Sequence, residues 1–387
     1  MAQSAFYGTN NFSLLAIPFF LFAGAVMEYS GISRSIFSFV DSFVGRFRAS
    51  TGTVAIFACA AFGALTGSTQ ATIASISKIV YPEMDKRGYE PAYQAALMAS
   101  AGFLGVLIPP SMTGIVYATA SNISIADAWM STLLPGLIIA TLYAVVNFFH
   151  RRKVEPKTAE PFRTGAYVKN IGVSTKNAFW ALMMPIIIFG GIYGGIFTAT
   201  EAAVIATVYS LIVGMFIYRE LTLKMIWDMF FDCTASMGGM NYTMAVAGAL
   251  SAVFVYHGFG EMVQNFFFSI STNPVVIMSL IFVLLFIAGM FVQTTPIMVI
   301  LSPVLLQIVT PLGISPIQFG LVMLLSLCIA FVTPPVASNL FVAQSMTGLD
   351  VVGISKKALP FMAVLIASMI IVAFVPAVSV GILSLFG

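Results

Sequence analysis

Long apolar runs separated by short polar stretches recur along this 387-residue chain. A helix needs ~20 predominantly apolar residues to cross a bilayer. Runs of about that length predict an all-α polytopic membrane protein with eight full spans. We place these spans at about 12–29, 91–122, 126–148, 177–196, 199–218, 233–256, 318–349 and 358–382.

Two of these runs, 91–122 and 318–349, are too long for one straight helix, and each contains a Pro-Pro pair. Proline removes a backbone donor and breaks a helix interior. A break at membrane depth is tolerated only where it faces protein or a wet cavity. We therefore predict two broken helices, with breaks at Pro109–Pro110 and Pro334–Pro335.

Two further apolar segments, 52–81 and 278–307, are interrupted halfway by glycine and hydroxyl residues. This pattern predicts re-entrant helical hairpins, which enter and leave the membrane on the same side. Their tips would be Gly67-Ser68-Thr69 and Gln293-Thr294-Thr295. Amphipathic segments at 33–48 and 259–272 precede the hairpins and are typical of helices that lie at the interface.

The two interrupted pairs are copies of one pattern. Residues 108–114 read IPPSMTG and residues 333–339 read TPPVASN, so the second Pro-Pro pair follows the first by 225 positions. An odd number of predicted spans separates 12–29 from its counterpart near 238–255, so the repeats should be inverted. We divide the chain into a first inverted repeat at 1–149, a basic connector at 150–176 and a second inverted repeat at 177–387. Paired interruptions of this kind indicate a transport site.

Composition excludes a soluble protein, since 59% of the residues are hydrophobic and 8% are charged. In this layout, 16 of the 17 Lys and Arg residues lie on the side that holds the connector. Basic loops stay in the cytoplasm, so this side is predicted to be cytoplasmic. The net charge of +3 then reflects topology and not nucleic-acid binding.

Little in the sequence suggests catalysis. The three cysteines, Cys59, Cys233 and Cys328, are dispersed through apolar segments, and neither a metal-ligand cluster nor a nucleophile motif is visible. A membrane-embedded enzyme would need an intramembrane catalytic cluster. We therefore predict that the protein is not an enzyme and needs no cofactor.

Several motifs, spread over nearly the whole chain, resemble one family. They are Leu14–Pro18 (LLAIP), Pro82–Tyr93 (PEMDKRGYEPAY), Gly105–Ser111 (GVLIPPS), Gly195–Ala203 (GIFTATEAA) and Thr333–Val336 (TPPV) followed by Asn339-Leu-Phe. Together they resemble the large membrane subunit of tripartite ATP-independent periplasmic (TRAP) transporters. Large subunits of that family usually begin with one more hydrophobic segment, and many carry an acidic residue where this chain has Gln293.

The resemblance implies a sodium-coupled, elevator-type importer in the inner membrane of a bacterium or archaeon. Its substrate would be an organic anion, such as a C4-dicarboxylate or a sialic acid. It also implies two partners, a small four-helix membrane subunit and a periplasmic substrate-binding protein. The alternative is a stand-alone elevator-type sodium–carboxylate symporter.

The tips and breaks supply the candidate site residues. Helix N-termini attract anions, while hydroxyls and freed carbonyls suit a small hard cation. By resemblance, one sodium site is formed by Ser68, Thr69, Gly105 and Ile108, and a second by Thr294, Thr295 and Thr333. The candidate substrate neighbours are Gly67, Pro110, Ser111, Thr113, Gln293 and Asn339.

Two charged residues and the hydroxyls admit a second interpretation. The hydroxyls can bond back to their own helices. Glu201 is either a proton-coupling acid or the end of a capping box that begins at Thr198. Lys78 either meets the substrate or extends to the cytoplasmic interface.

Overall fold

The computed structural model describes residues 2–155, 164–381 and 383, and within them the chain is helical, with no β-strand. This confirms the all-α prediction. The helices are α1 Ala2–Thr9, α2 Ala16–Tyr29, α3 Ile32–Val44, α4 Ser50–Thr66, α5 Thr69–Lys86, α6 Pro91–Ala101, α7 Leu104–Leu107, α8 Met112–Ser121, α9 Ile125–Arg151, α10 Thr164–Tyr193, α11 Ala199–Ile212, α12 Leu223–Tyr256, α13 Phe259–Ile270, α14 Pro274–Phe291, α15 Thr294–Val309, α16 Pro316–Ala330, α17 Ser338–Thr347 and α18 Val351–Phe374.

Eight helices of the described chain are long and apolar enough to cross a bilayer. Six of them match predicted spans. The other two are the arms of the second hairpin, α14 and α15, each of which reaches the length of a span. The predicted span 318–349 is instead two short helices, α16 and α17, and the predicted span 91–122 bends by 47° at its break.

Each predicted hairpin is a pair of consecutive helices joined by a short break, α4 with α5 and α14 with α15. That these pairs are re-entrant in a membrane stays a prediction. In the first, Gly67 ends α4 with a φ of +60°, and α5 begins two residues later. The base of this hairpin closes on itself, because the Gly52 N–H at the start of α4 donates to the Tyr89 hydroxyl just beyond the end of α5, at 3.3 Å. The chain therefore enters and leaves the first hairpin at the same end. In the second hairpin, Val292 and Gln293 form the break between α14 and α15.

The same order of elements occurs twice: an amphipathic helix, a hairpin, a helix broken at Pro-Pro, and a long final helix. The first set runs from α3 to α9 and the second from α13 to α18. The opposite orientation of the two sets in a bilayer stays a prediction.

The broken helices lie in the interior of the protein. Nearly every residue of α6 and α16 is buried, and helices that are apolar on all faces are typical of such a position. Large buried side chains pack against the first broken helix, since Phe361 contacts Tyr93 of α6, Tyr143 contacts Phe103 and Trp129 Nε1 donates to the Ser111 carbonyl. The first break, at Pro109–Pro110, is fully buried, whereas Pro335 and Val336 of the second break are exposed.

Three segments differ from the sequence-based layout. Residues 223–232, predicted as part of a cytoplasmic loop, form the start of the 34-residue helix α12.

Helix α1 was not predicted, because its residues are mostly small or polar. A methyl group on Gly8 would lie 3.2 Å from Gly248 Cα, so paired glycines bring α1 close to α12. In the connector, residues 164–176 belong to α10, while 156–163 lie outside the described residues.

A buried carboxylate joins the connector to the base of the first hairpin. The side chain of Glu155 is 1% exposed and accepts hydrogen bonds from the hydroxyls of Ser50, Thr51 and Tyr89 at 3.0, 2.8 and 2.6 Å. Arg87 lies 3.5 Å away. Burial raises the pKa of the Tyr89 phenol well above its usual range, and the bond to Glu155 raises it further, so the phenol remains the donor.

Candidate transport site

Both hairpin tips and both helix breaks meet at one cavity of about 170 Å³. The first tip contributes Thr69, and the second contributes Gln293, Thr294 and Thr295. The complete lining is Thr69, Gln70, Val106, Thr113, Gly289, Val292, Gln293, Thr294, Thr295, Ala330, Phe331, Val336, Ala337 and Ser338. Segments that are far apart in the sequence therefore converge on the cavity, as the repeated motifs predict.

Four helices begin at this cavity: α5, α8, α15 and α17. Each helix N-terminus presents unpaired N–H groups and about half a positive charge. Two of these ends are closed by their own side chains, because Ser68 accepts from the Ala71 N–H at 3.4 Å and Ser111 accepts from the Gly114 N–H at 3.2 Å. Gln293 and Ala337, at the starts of α15 and α17, make no such side-chain cap. The first N–H groups of α15 and α17 thus lack a side-chain acceptor from these cap residues.

None of the described residues that line the cavity is charged. Its polar groups are hydroxyls and amides, which surround the four helix N-termini. The helix N-termini and neutral donors can stabilise an anion without a basic side chain. The carbonyl ends of α14 and α16, at Val292 and Phe331, line the same cavity and suit a cation.

The predicted first sodium site is partly brought together. A methyl group on Gly105 would lie 2.7 Å from the Ser68 carbonyl oxygen, so α7 passes directly over the first tip. That carbonyl accepts from the Thr72 hydroxyl at 2.7 Å, and the Thr72 and Thr66 hydroxyls are 3.1 Å apart. Thr66 and Thr72 are buried and were missed by the sequence analysis. Thr66 lies two positions before Ser68, and Thr72 lies three positions after Thr69. This spacing of hydroxyl residues around the tip could have indicated both from the sequence.

The other predicted members of this site have different environments. The Thr69 hydroxyl donates to Gln70 Oε1 at 3.0 Å and lies at the cavity wall. Ile108 ends α7, where its N–H donates to the Leu104 carbonyl at 2.9 Å and its own backbone turns into the Pro-Pro break.

The predicted second sodium site is divided. Thr294 and Thr295 line the cavity at the start of α15. The Thr333 hydroxyl donates to the Ile329 carbonyl at 2.9 Å, so it bonds back to its own helix, which was the alternative interpretation. The helix break at Pro334–Pro335 is joined to the second hairpin, because the Val336 N–H donates to the Met290 carbonyl at 3.2 Å.

Of the predicted substrate neighbours, Thr113 and Gln293 line the cavity. Gly67 and Pro110 support it from behind, since a methyl group on Gly67 would lie 2.7 Å from the Pro110 carbonyl oxygen. Ser111 is 1% exposed, and its carbonyl accepts from Trp129 Nε1 at 3.0 Å. Gly67 and Pro110 thus place the first tip against the first break, and Ser111 joins that break to α9.

Asn339 does not line the cavity. Its side chain is fully buried, and its Nδ2 donates to the Ala99 carbonyl at 2.9 Å, which joins α17 to α6 across the two halves of the chain. Its Oδ1 has no hydrogen-bond partner among the described residues. The free atom of this amide is therefore an oxygen, which suits a cation better than an anion.

The sequence analysis missed nine lining residues. They are Gln70, Val106, Gly289, Val292, Ala330, Phe331, Val336, Ala337 and Ser338. The sequence repeat could have predicted Ser338, because this residue follows Thr113 by the same 225 positions that separate the Pro-Pro pairs.

The two charged candidates lie outside the cavity lining. Glu201 and Thr198 form a reciprocal capping box at the start of α11, with the Thr198 N–H donating to Glu201 at 2.8 Å. This agrees with the structural interpretation of Glu201. Lys78 lies 3.4 Å from Glu28, so it pairs the first hairpin with α2.

Comparison with known proteins identifies a family for this chain. The family model of the tripartite ATP-independent periplasmic transporter DctM component matches residues 1–378. The chain belongs to this family. It is therefore an inner-membrane transporter permease and not an enzyme, as predicted.

Individual relatives cover nearly the whole chain. It is 35% identical, over 98% of its length, to the isethionate TRAP transporter permease protein DctMQ of Oleidesulfovibrio alaskensis, but spans 59% of that protein. It is 34% identical to the C4-dicarboxylate TRAP transporter large permease protein DctM of Pseudomonas aeruginosa, covering 98% of this chain and 88% of that one. The sialic acid TRAP transporter permease protein SiaT of Haemophilus influenzae is 28% identical, with 96% and 59% covered.

A solved structure shares the fold. The crystal structure of the Alcanivorax borkumensis YdaH transporter, described as having an unusual topology, superposes with a TM-score of 0.65. The alignment covers 95% of this chain and 86% of that one at 14% identity. At this identity the likeness concerns the fold alone.

Proposed function

We propose that the protein is the permease subunit of a sodium-coupled transporter that imports an organic anion delivered by a periplasmic binding protein. The convergence of four helix N-termini on one uncharged cavity carries this proposal. Isethionate, C4-dicarboxylates and sialic acid, for which the relatives are named, are all anions at neutral pH. A binding site built from backbone dipoles suits that shared charge.

The volume of the cavity favours a compact solute. Sites for drug-sized ligands occupy roughly 300–1,000 Å³. The cavity of about 170 Å³ is smaller, so a short acid such as a C4-dicarboxylate fits it better than a sugar acid of sialic-acid size.

Sodium would bind behind the tips, where oxygen atoms are concentrated. At the first tip these are the Ser68 carbonyl and the hydroxyls of Thr66 and Thr72. At the second break the unpartnered oxygen of Asn339 is the best candidate, which moves this residue from the substrate to the cation. An ion bound there would hold each tip against its break and complete the anion site.

Movement of the two hairpins and two broken helices as one body would expose the cavity to each side in turn. The ion pair of Lys78 with Glu28 joins the first hairpin to α2, so it would have to break during such an elevator motion. It is a surface pair with one half-exposed partner, and pairs of this kind are weak enough to exchange.

Reconstitution tests the proposal against the stand-alone symporter. The large subunit is placed in proteoliposomes, either alone or with its small membrane partner, under an inward sodium gradient, with and without the binding protein. We expect solute uptake only with the binding protein and only with the gradient. Sodium-driven uptake by the large subunit alone, at a comparable rate, would favour the symporter.

A further inference from the structure

A second cavity, of about 320 Å³, lies far from the transport site at the ends of three helices. It is lined by Glu90 before α6, by His150 and Arg151 at the end of α9, and by Lys356, Lys357 and Pro360 near the start of α18, together with Tyr93. We propose that this cavity binds the phosphate headgroup of an anionic phospholipid.

The charges of the lining favour an anion. Lys357 is neutralised by Glu90, with Nζ and Oε2 2.8 Å apart. Arg151 and Lys356 remain, and Lys356 forms no ion pair with any described residue. Two uncompensated basic groups at one cavity repel each other, and a phosphate between them would remove that repulsion.

The guanidinium of Arg151 is fixed in place. It lies 4.0 Å from the ring centroid of Tyr93 and 5.0 Å from that of Tyr89. His150 also stacks on the ring of Tyr93, with ring centroids 6.0 Å apart. The Nε of Arg151 is buried and has no hydrogen-bond partner in the described chain. A preorganised guanidinium with an unused donor is well suited to phosphate.

The position of the cavity favours a lipid over a free phosphate ion. Helices α9 and α18 are both membrane spans, and the cavity lies at the ends where they meet the interface. Exposed apolar side chains flank it, with Phe149 at 60% and Leu359 at 58% exposure. Basic pockets between spans at this level are where anionic headgroups bind, with the acyl chains along the apolar helix surface below.

Native mass spectrometry of the delipidated full chain, titrated with phosphatidylglycerol or phosphatidylcholine, tests the proposal. We expect preferential retention of phosphatidylglycerol, and about fivefold weaker binding in Lys356→Ala, because one basic residue near an anionic lipid contributes ~1 kcal/mol. Lys224→Ala removes an equal charge from the exposed start of α12 and should bind as the unaltered chain does. Lys356 is exposed, so its replacement should not impair folding.

Three results would overturn the proposal. The first is equal retention of phosphatidylglycerol by Lys356→Ala and the unaltered chain. The second is an equal loss in Lys224→Ala, which would indicate general surface charge. The third is displacement of the lipid by inorganic phosphate in large excess, which would make the ligand a free anion.

Discussion

Thr113 and Ser338, which lie 225 residues apart in the sequence, line one cavity from the first turns of α8 and α17. They occupy corresponding positions after the two Pro-Pro breaks. The repeated motif thus places a hydroxyl on each side of the site, next to a helix N-terminus. This pairing connects the duplication in the sequence to the chemistry of the cavity.

Removing either hydroxyl should weaken solute binding. We expect Thr113→Val and Ser338→Ala each to raise the KM for solute uptake roughly tenfold or more, since a hydrogen bond to a charged group contributes ~1.5–3 kcal/mol. Thr141→Val is the matched control, because its hydroxyl bonds back to Leu137 on the exposed face of α9. An unchanged KM in both cavity variants would exclude these hydroxyls from the solute site.

The close approach of α7 to the first tip should not tolerate a larger residue. A methyl group on Gly105 would lie 2.6 Å from the Thr72 hydroxyl and 2.7 Å from the Ser68 carbonyl. We expect Gly105→Ala to lower the free energy of unfolding by ~1–3 kcal/mol, through overpacking, and to abolish transport. Thermal unfolding of the detergent-solubilised protein measures the first effect.

Gly190→Ala provides the control for that change. No neighbouring atom lies within 4 Å of a methyl group at Gly190, in the last turn of α10. Its replacement should be neutral or stabilise the helix by ~0.5–1 kcal/mol. If both alanine variants unfold at the same temperature, the contact between α7 and the first tip is looser than the structure indicates.

The buried carboxylate of Glu155 should contribute strongly to stability. Glu155→Ala leaves the buried Thr51 and Tyr89 donors without their acceptor and removes one of the two carboxylates that pair with Arg87, so we expect a loss of ~3–5 kcal/mol. Glu83→Ala removes a surface acid that pairs with the same Arg87 and should cost ~0–1 kcal/mol. Chemical or thermal unfolding distinguishes the two. Equal losses of unfolding free energy in the two variants would show that Glu155 contributes no more than a member of a surface ion pair.

Orientation in the membrane can be tested by labelling single cysteines, after Cys59, Cys233 and Cys328 are replaced. Asn122 is exposed beyond the end of α8, on the side predicted to be periplasmic, and Asn122→Cys should react with an impermeant thiol reagent on intact cells. Arg152→Cys, at the end of α9 that is predicted to be cytoplasmic, should react only after the cells are opened. Strong external labelling at position 152 would reverse the assigned orientation.

The sequence predicted the interrupted elements well because their signals are local. Pro109–Pro110 removes backbone donors wherever it occurs, and Gly67 permits the left-handed turn that ends α4. Apolar length alone could not separate a re-entrant arm from a span, so α14 and α15 are longer than 278–307 suggested. Helix α1 could not be predicted from local sequence, because it depends on a tertiary contact between Gly8 and Gly248.

The site was predicted less completely, because a residue type does not determine where its side chain points. Thr333 and Asn339 were assigned to ligands by their place in the motif. In the structure one bonds back to its own helix and the other bridges to Ala99. Apolar wall residues such as Val106 and Phe331 carry no chemical signal, and only the fold brings them to the cavity.

The central claim is that sodium and an organic anion bind together where the two tips meet. The most direct measurement is the sodium concentration that gives half-maximal solute uptake in proteoliposomes holding the complete transporter. We compare Thr66→Val and Thr72→Val, which remove the two hydroxyls behind the first tip, with Thr234→Val, whose hydroxyl bonds back to Phe230 on the exposed α12. The account predicts that both tip variants need roughly tenfold more sodium while Thr234→Val is unchanged, since each tip variant loses a ligand or its support. Uptake that is independent of sodium, or equal sodium dependence in all three variants, would contradict it.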